Sequence, residues 1–183
     1  MSRQKGDRAL TKNIVPCTNE LMKQAEMVVR TVFPWMTPFE WLSFIAIRHR
    51  DSFVGRLLSR VAGVEDLVAF DVYLDETNAV RGTTGLYRYE KDAHEAVWVA
   101  WFCVDPAVRG RGVGQALIDH TVERARNAGF KKIRLYTSTD PNEETAQRLY
   151  ERNGFKEVRR ERGLFTTIIF RERTIPDAEQ GVV

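Results

Sequence analysis

Apolar and polar positions alternate along this chain with two distinct periods. In "TNELMKQAEMVVRTVF", Leu21, Ala25, Val28, Val29 and Val32 share one helical face, and Thr18 or Asn19 can cap the start. The aromatic-rich segment "PWMTPFEWLSFIAIRHRDSFVGRLLSRVAG" reads as helical in parts, without legible internal boundaries. "DLVAFDVYLD" and "AVRGTTGLYRYE" alternate with period two, which predicts two strands joined by a turn near Glu76–Asn78. "AVWVAWFCV" (96–104) is apolar on both faces, as expected of a central strand covered on each side. A helix is predicted next, with Val113, Ala116, Leu117, Thr121 and Ala125 on one face and Gly129 as its terminator. "KKIRLYTST" reads as a further strand. "DPNEETAQRLYERNG" reads as a helix opened by Asp140 as cap, Pro141 at the first position and Glu143 completing a capping box, and closed by Gly154. "FKEVRRE" and "LFTTIIFRE" are the last two strands. Helices, strands, a strand–helix–strand–helix unit and final strands make a mixed α/β sheet.

The totals narrow the class without naming a chemistry. At 183 residues, 43% hydrophobic and 29% charged, the chain fits one globular domain. Residues 1–12 and 174–183 are expected to be loose tails. The net charge of +3 and pI near 9.0 are mildly basic. "RHR" (48–50) and "VRRERG" (158–163) have acids nearby and read as solvated faces, so no nucleic-acid partner is expected. Cys17 and Cys103 give no disulfide framework, and His49, His94 and His120 are too scattered for a metal site. With neither a signal-peptide pattern nor a spanning segment, a cytoplasmic setting away from membranes is the expectation.

The stretch "VDPAVRGRGVGQALIDH" stands out. Three glycines fall at every second position between a proline and an amphipathic helix. Bare backbone allows close approach to a ligand, and the first amides of a helix have no internal partners. Together they form an anion site, to which Arg109 and Arg111 add charge. The spacing of Gly110, Gly112 and Gly114 is not GxGxxG, and no lysine-serine follows, so neither a dinucleotide fingerprint nor a P-loop is present.

These residues carry a resemblance. "RGRGVG", preceded by the V-x-P of Val104–Pro106, resembles the R/Q-x-x-G-x-G/A signature of the GCN5-related N-acetyltransferase (GNAT) superfamily. "AQRLYERNGF", Ala146 to Phe155, is similar to that superfamily's A-x-x-L-Y-x-x-x-G-F element. Together they span about 97–158, the expected cofactor-binding core. The resemblance implies a mixed, mostly antiparallel sheet flanked by helices, with two parallel central strands (97–104 and 131–138) splayed around acetyl-CoA. It assigns the diphosphate to Arg109, Gly110, Arg111, Gly112, Val113, Gly114 and Gln115. Pantetheine is assigned to Phe102, Cys103 and Val104 by strand addition, and to Asn142, one residue earlier than the usual N-x-x-A spacing.

The same resemblance makes Tyr150 the donor of a proton to the departing thiolate. As a glutamate counterpart on the first splayed strand, this sequence has Trp98. Glu95 is the fallback base, with Tyr87, Glu90 and Asp92 as alternatives. Cys103 reads as a packing residue rather than a nucleophile, since neither His94 nor His120 has reason to act as its base. The expected acceptor is a primary amine on a small molecule or amino acid, among "FPWMTPFEW", "GTTGLY" and Trp98/Trp101. No metal is implied, and homodimerisation is left open. An acyl-CoA-binding sensor without catalysis is the alternative.

Overall fold

The alternating segments pair into one sheet, and the period-3.6 segments cover it. In the computed structural model, residues 10–34, 36, 38–49, 52, 53, 55, 57, 64–89, 92, 95–163 and 166–176 are described. In chain order the elements are β1 (Ile14–Pro16), α1 (Asn19–Val32), α2 (Pro38–Arg48), β2 (Val64–Leu74), β3 (Val80–Tyr89) and β4 (Ala96–Val104). There follow α3 (Val113–Asn127), β5 (Lys132–Ser138), α4 (Glu144–Arg152), β6 (Lys156–Arg162) and β7 (Thr167–Thr174). The strand order is β1-β2-β3-β4-β5-β7-β6. Every neighbouring pair is antiparallel except β4–β5, which is parallel.

The mixed sheet is therefore the expected one, with local differences. Strand β1 has only three residues, too few for a periodic pattern; its pairing of Ile14 with Tyr73 rests on a long-range partner. Leu10 packs beside Val113 and Leu117, and Ile175 is buried with its amide bonded to Lys131 O at 2.9 Å. The packed chain thus extends into both expected tails, because each supplies an apolar side chain to the core. The β2–β3 turn falls at Asp75–Ala79, with Asn78 in the left-handed region at φ 62°.

Three apolar clusters lie among the described residues, the smallest around Ile14, Val113 and Leu117, and the two larger ones hold the layers. Val97, Ile118, Ile133, Leu135 and Phe155 meet between the sheet and α3 and α4. Met22, Val29, Phe44, Phe70 and Val72 meet under α1 and α2. Ala69 and Phe70, adjacent on β2, belong one to each of the larger clusters, so these two lie on opposite faces. Burying each large aliphatic or aromatic side chain contributes about 1.5–3 kcal/mol. All five residues expected on the inner face of α3 are buried, with Ile118 and Val122 beside them. Thr121 is accommodated by donating to Leu117 O at 2.6 Å and pairing with Thr84 at 2.7 Å. Edge strand β6 is exposed throughout and charged at six of seven positions, which discourages edge-to-edge pairing.

Candidate active site

The parallel strands separate partway along. β4 and β5 pair only at Ala96–Lys132, Val97–Ile133 and Trp98–Arg134. Beyond Trp98, β4 keeps its ladder with β3 alone. Among the described residues, the main-chain groups it turns toward β5 thus have no strand partner, an edge to which an extended ligand can add.

Two local devices hold the strands apart. In β4, Thr83 faces Cys103 and Gly85 faces Ala100, so Thr84 opposes both Trp101 and Phe102 in a bulge. Trp101 takes φ 49° there, a strained conformation for a bulky residue. The buried Thr83 hydroxyl pins it, donating to Trp101 O at 2.5 Å and lying 3.1 Å from Cys103 Sγ. At the far end of β5, Ser138 is capped by side chains. Its N–H and hydroxyl bond the Glu143 carboxylate at 2.9 and 2.6 Å, and its carbonyl accepts from Gln147 Nε2 at 2.8 Å. The spacing predicts that Glu143 closes a capping box on Asp140; it reaches Ser138 instead. The helix begins one turn later for a related reason: residues 141–143 form a tight 3-10 turn, capped by Asp140 accepting from Asn142 N at 2.8 Å.

The glycine loop sits at the open end. Asp105 anchors its start, accepting from Ala107 N at 2.9 Å and from Arg81 Nη1 at 2.9 Å. These partners, the Ala107 amide foremost, hold its carboxyl below the usual range. Gly110 and Gly112 have φ of 76° and 85°, which glycine adopts without strain. Gly112 is the N-cap of α3 and has no side chain to satisfy it. The first helical bond runs from Ala116 N to Gly112 O at 3.0 Å, so the amides of Val113, Gly114 and Gln115 precede the ladder. Arg111 is exposed, whereas Arg109 turns back and donates from Nε to Val104 O at 3.1 Å. One of the three β4 residues assigned to pantetheine thus has its carbonyl engaged already.

Tyr150 closes the cleft from α4. It is 5% exposed, edge-on to Phe102 (centroids 5.6 Å apart) and Phe155 (5.7 Å). Its hydroxyl has no hydrogen-bond partner among the described residues. Burial foremost, with Glu143 and Cys103 adding, raises its pKa well above that of a free phenol. It keeps its proton at neutral pH. Cys103 is buried and its thiol is pushed up to about 11, chiefly by burial. Such a thiol is inert as a nucleophile. His120 is engaged elsewhere: its Nε2 lies 2.8 Å from Asp71, which Arg124 also contacts. Asn142 is exposed, its amide serving the Asp140 cap.

Glu95 is not brought to this group. Seven residues separate it from Phe102 along an extended strand, roughly 20 Å. Its carboxylate is 55% exposed and held by Lys132 at 2.6 Å, which lowers its pKa. Of the alternatives, Glu90 lies outside the described residues, as does His94, the histidine weighed beside Cys103. Trp98 Nε1–H donates to Asp92 at 2.6 Å, while Arg134 binds Asp92 and Glu172 at 2.7 Å each. A row of rings runs over this network: Tyr87–Tyr89 (5.0 Å), Tyr89–Trp98 (5.5 Å), Trp98–Phe170 (6.3 Å) and Phe170–Tyr136 (6.1 Å). Tyr136, half exposed, carries no signal in the sequence; only the pairing of β5 with β7 brings it beside Phe170. Burial raises the Tyr87 phenol far above its ordinary range, so it is no base. Trp101 packs edge-on to Phe33 and Phe44 in the core, away from this row.

No curated protein matches the sequence significantly. Solved structures match in fold. An acetyltransferase of the GNAT family from Staphylococcus aureus Mu50 aligns with TM-score 0.68 at 18% identity, over 90% of this chain and 99% of that one. The ribosomal-protein-S18-alanine N-acetyltransferase from Escherichia coli aligns at 0.64 and 16%, over 93% and 97%. Ard1 from Thermoplasma volcanium aligns at 0.65 and 22%, over 90% and 97%. Residues 67–157, from β2 into β6, match the family model of the acetyltransferase (GNAT) domain. With the splayed parallel strands, the glycine loop and that domain match in one stretch, the chain belongs to the GNAT acetyltransferase superfamily.

Proposed function

We propose that the chain transfers an acetyl group from acetyl-CoA to a primary amine, by direct attack of the amine on the thioester. The observation that carries this reading is the convergence of three features on one cleft. They are the uncapped first turn of α3, the unpaired edge of β4, and the protonated phenol of Tyr150.

The residues fit the donor. The left-handed backbone at Gly110 and Gly112 leaves room where side chains would intrude, and three amides face outward with Arg111 beside them. Acetyl-CoA, when bound, supplies an activated acetyl thioester. The amides of Val113, Gly114 and Gln115 hold the diphosphate. Main-chain groups of Phe102 and Cys103 pair with the extended arm, and Asn142 remains its candidate side-chain contact. Tyr150 holds a proton on Oη and would donate it to the thiolate as the new C–N bond displaces the C–S bond. The proton lost by the attacking nitrogen passes to solvent, from which the phenol is restored. Its raised pKa suits a donor and rules out a base. Glu95, far along the strand and tied to Lys132, takes no direct part in proton transfer. On the acceptor side, the row from Tyr87 to Tyr136 makes an aromatic wall at the base of the splay, suited to a small amine rather than a long acidic or basic tail.

Thiol release from acetyl-CoA, measured across an amine panel, tests the activity. Tyr150→Phe is expected to lower kcat on the order of a hundredfold while leaving coenzyme A affinity unchanged. An unchanged kcat would remove the assigned role. Tight binding without turnover by any amine would favour an acyl-CoA sensor, consistent with Trp98 standing where the superfamily resemblance implies a carboxylate.

A further inference from the structure

A cleft of about 620 Å³ opens between α3 and the turn joining α4 to β6. Asp119, Arg152, Asn153, Lys156, Glu172 and Arg173 line it. Both carboxylates are already engaged. Asp119 accepts from Gln115 Nε2 at 3.0 Å, and Glu172 is bound by Arg134 at 2.7 Å. The three cations are not: Arg152, Lys156 and Arg173 make no hydrogen bond or ion pair through their side chains among the described residues. For exposed Arg152 and Lys156, water suffices. Arg173 is half-buried on the register of β7 with β5, opposite Ile133. Burial, and then the positive charge of Arg126, destabilises its cationic form, and the attraction of Asp119 offsets this only in part. A guanidinium partly withdrawn from water, with a neighbouring cation and without an ion pair among the described residues, is stabilised by an anion that enters the cleft.

We propose that this cleft is a second anion site, taking a phosphate group against Arg173, Arg152 and Lys156 and separate from the diphosphate cradle. Three cations line the one cleft, two of them guanidinium groups able to grip two oxygens each, and such a set suits phosphate better than a single carboxylate. The volume lies in the range of small-ligand sites. The cleft also adjoins the cradle. Gln115, at the cradle, contacts both Asp119 and Asn153, and one helical turn of about 6 Å separates Gln115 from Asp119. The phosphate can therefore be a further phosphate of the nucleotide held in the cradle, or a free one. The first source rests on the acetyl-CoA reading; the second does not.

Calorimetric titration of the full chain with coenzyme A, 3′-dephospho-coenzyme A and inorganic phosphate separates the sources. The variants are Arg173→Gln and the double variant Arg152→Gln/Lys156→Gln, with Arg148→Gln as control, since Arg148 pairs with Glu144 outside the cleft. If the nucleotide supplies the phosphate, both cleft variants weaken coenzyme A about tenfold or more and leave the dephospho form unchanged. If the phosphate is free, inorganic phosphate binds the wild type and is lost in both variants, with both nucleotides unaffected. Equal binding of every ligand by wild type and variants overturns the site while leaving the acetyl-CoA reading intact. Failure of the wild type to bind either nucleotide refutes that reading instead, and the phosphate titration then decides the cleft. Should Arg173→Gln not fold, the double variant, whose side chains are exposed, distinguishes the same outcomes.

Discussion

Thr83 illustrates how one hydroxyl can shape the cleft. Its side chain is fully buried, and its Oγ1 is the donor to the carbonyl of Trp101, where β4 bulges. Valine has nearly the same shape but offers no proton. Thr83→Val should leave that carbonyl unsatisfied and cost about 1–3 kcal/mol, read as a lower urea midpoint. Coenzyme A affinity should fall with it, because the bulge turns β4 away from β5. An unchanged midpoint would mean that the bulge is held by other contacts. In the sequence this residue is merely part of "GTTGLY", which reads as acceptor-side surface. Its actual role needs the register of β3 on β4, which no local pattern encodes. Tyr150 is easier to single out, because its motif is local, and its burial follows from the apolar face it shares with Leu149 and Ala146.

Helix α3 and its entry loop are the most legible element. The periodicity of its apolar face and the terminating Gly129 correspond to the observed helix, since both depend on nearby residues. The cradle depends on a left-handed backbone at Gly112. A side chain at such a position costs about 1–2 kcal/mol, and a Cβ would also meet Leu10 Cδ1 at 3.3 Å. Gly112→Ala should therefore weaken coenzyme A by about tenfold as the loop shifts, measured by titration. Full affinity would show that the loop does not need this conformation. The start of α4 is less legible. Asp140, Pro141 and Glu143 match a capping box in spacing, yet Glu143 bonds Ser138 because β5 ends within its reach. A strand end unpaired by the splay offers an orphan amide that competes with the local one.

Across the molecule, Arg81 joins the β2–β3 turn to the glycine loop. It donates to Asp75 at 2.7 Å and to Asp105 at 2.9 Å. Both carboxyls are held below their ordinary range, Asp75 by Thr77 first and then Arg81, Asp105 by the Ala107 amide first. Because the folded values lie below the unfolded ones, their contribution to stability is complete above about pH 4 and is lost as pH falls through the folded values. Arg81→Gln should accordingly lower the urea midpoint by a constant amount from about pH 7 to about pH 5, with the gap closing below about pH 4. A gap that persists in acid would assign the loss to packing rather than to charge. The network of Trp98, Asp92, Arg134, Glu172 and Lys132 is likewise assembled from β4, β5, β7 and the segment before β4.

Local forces act between residues a few positions apart, and they are readable in the chain. Helix faces, glycine stops, the apolar central strand and the anion-binding loop all arise from one short stretch each. The point at which β4 leaves β5, the pinned bulge, the ring row ending at Tyr136 and the half-buried Arg173 depend on strand register between distant segments. Register is set by packing of the whole sheet against α3 on one face and α1 and α2 on the other, and a shift of one residue would turn every one of those side chains to the opposite face.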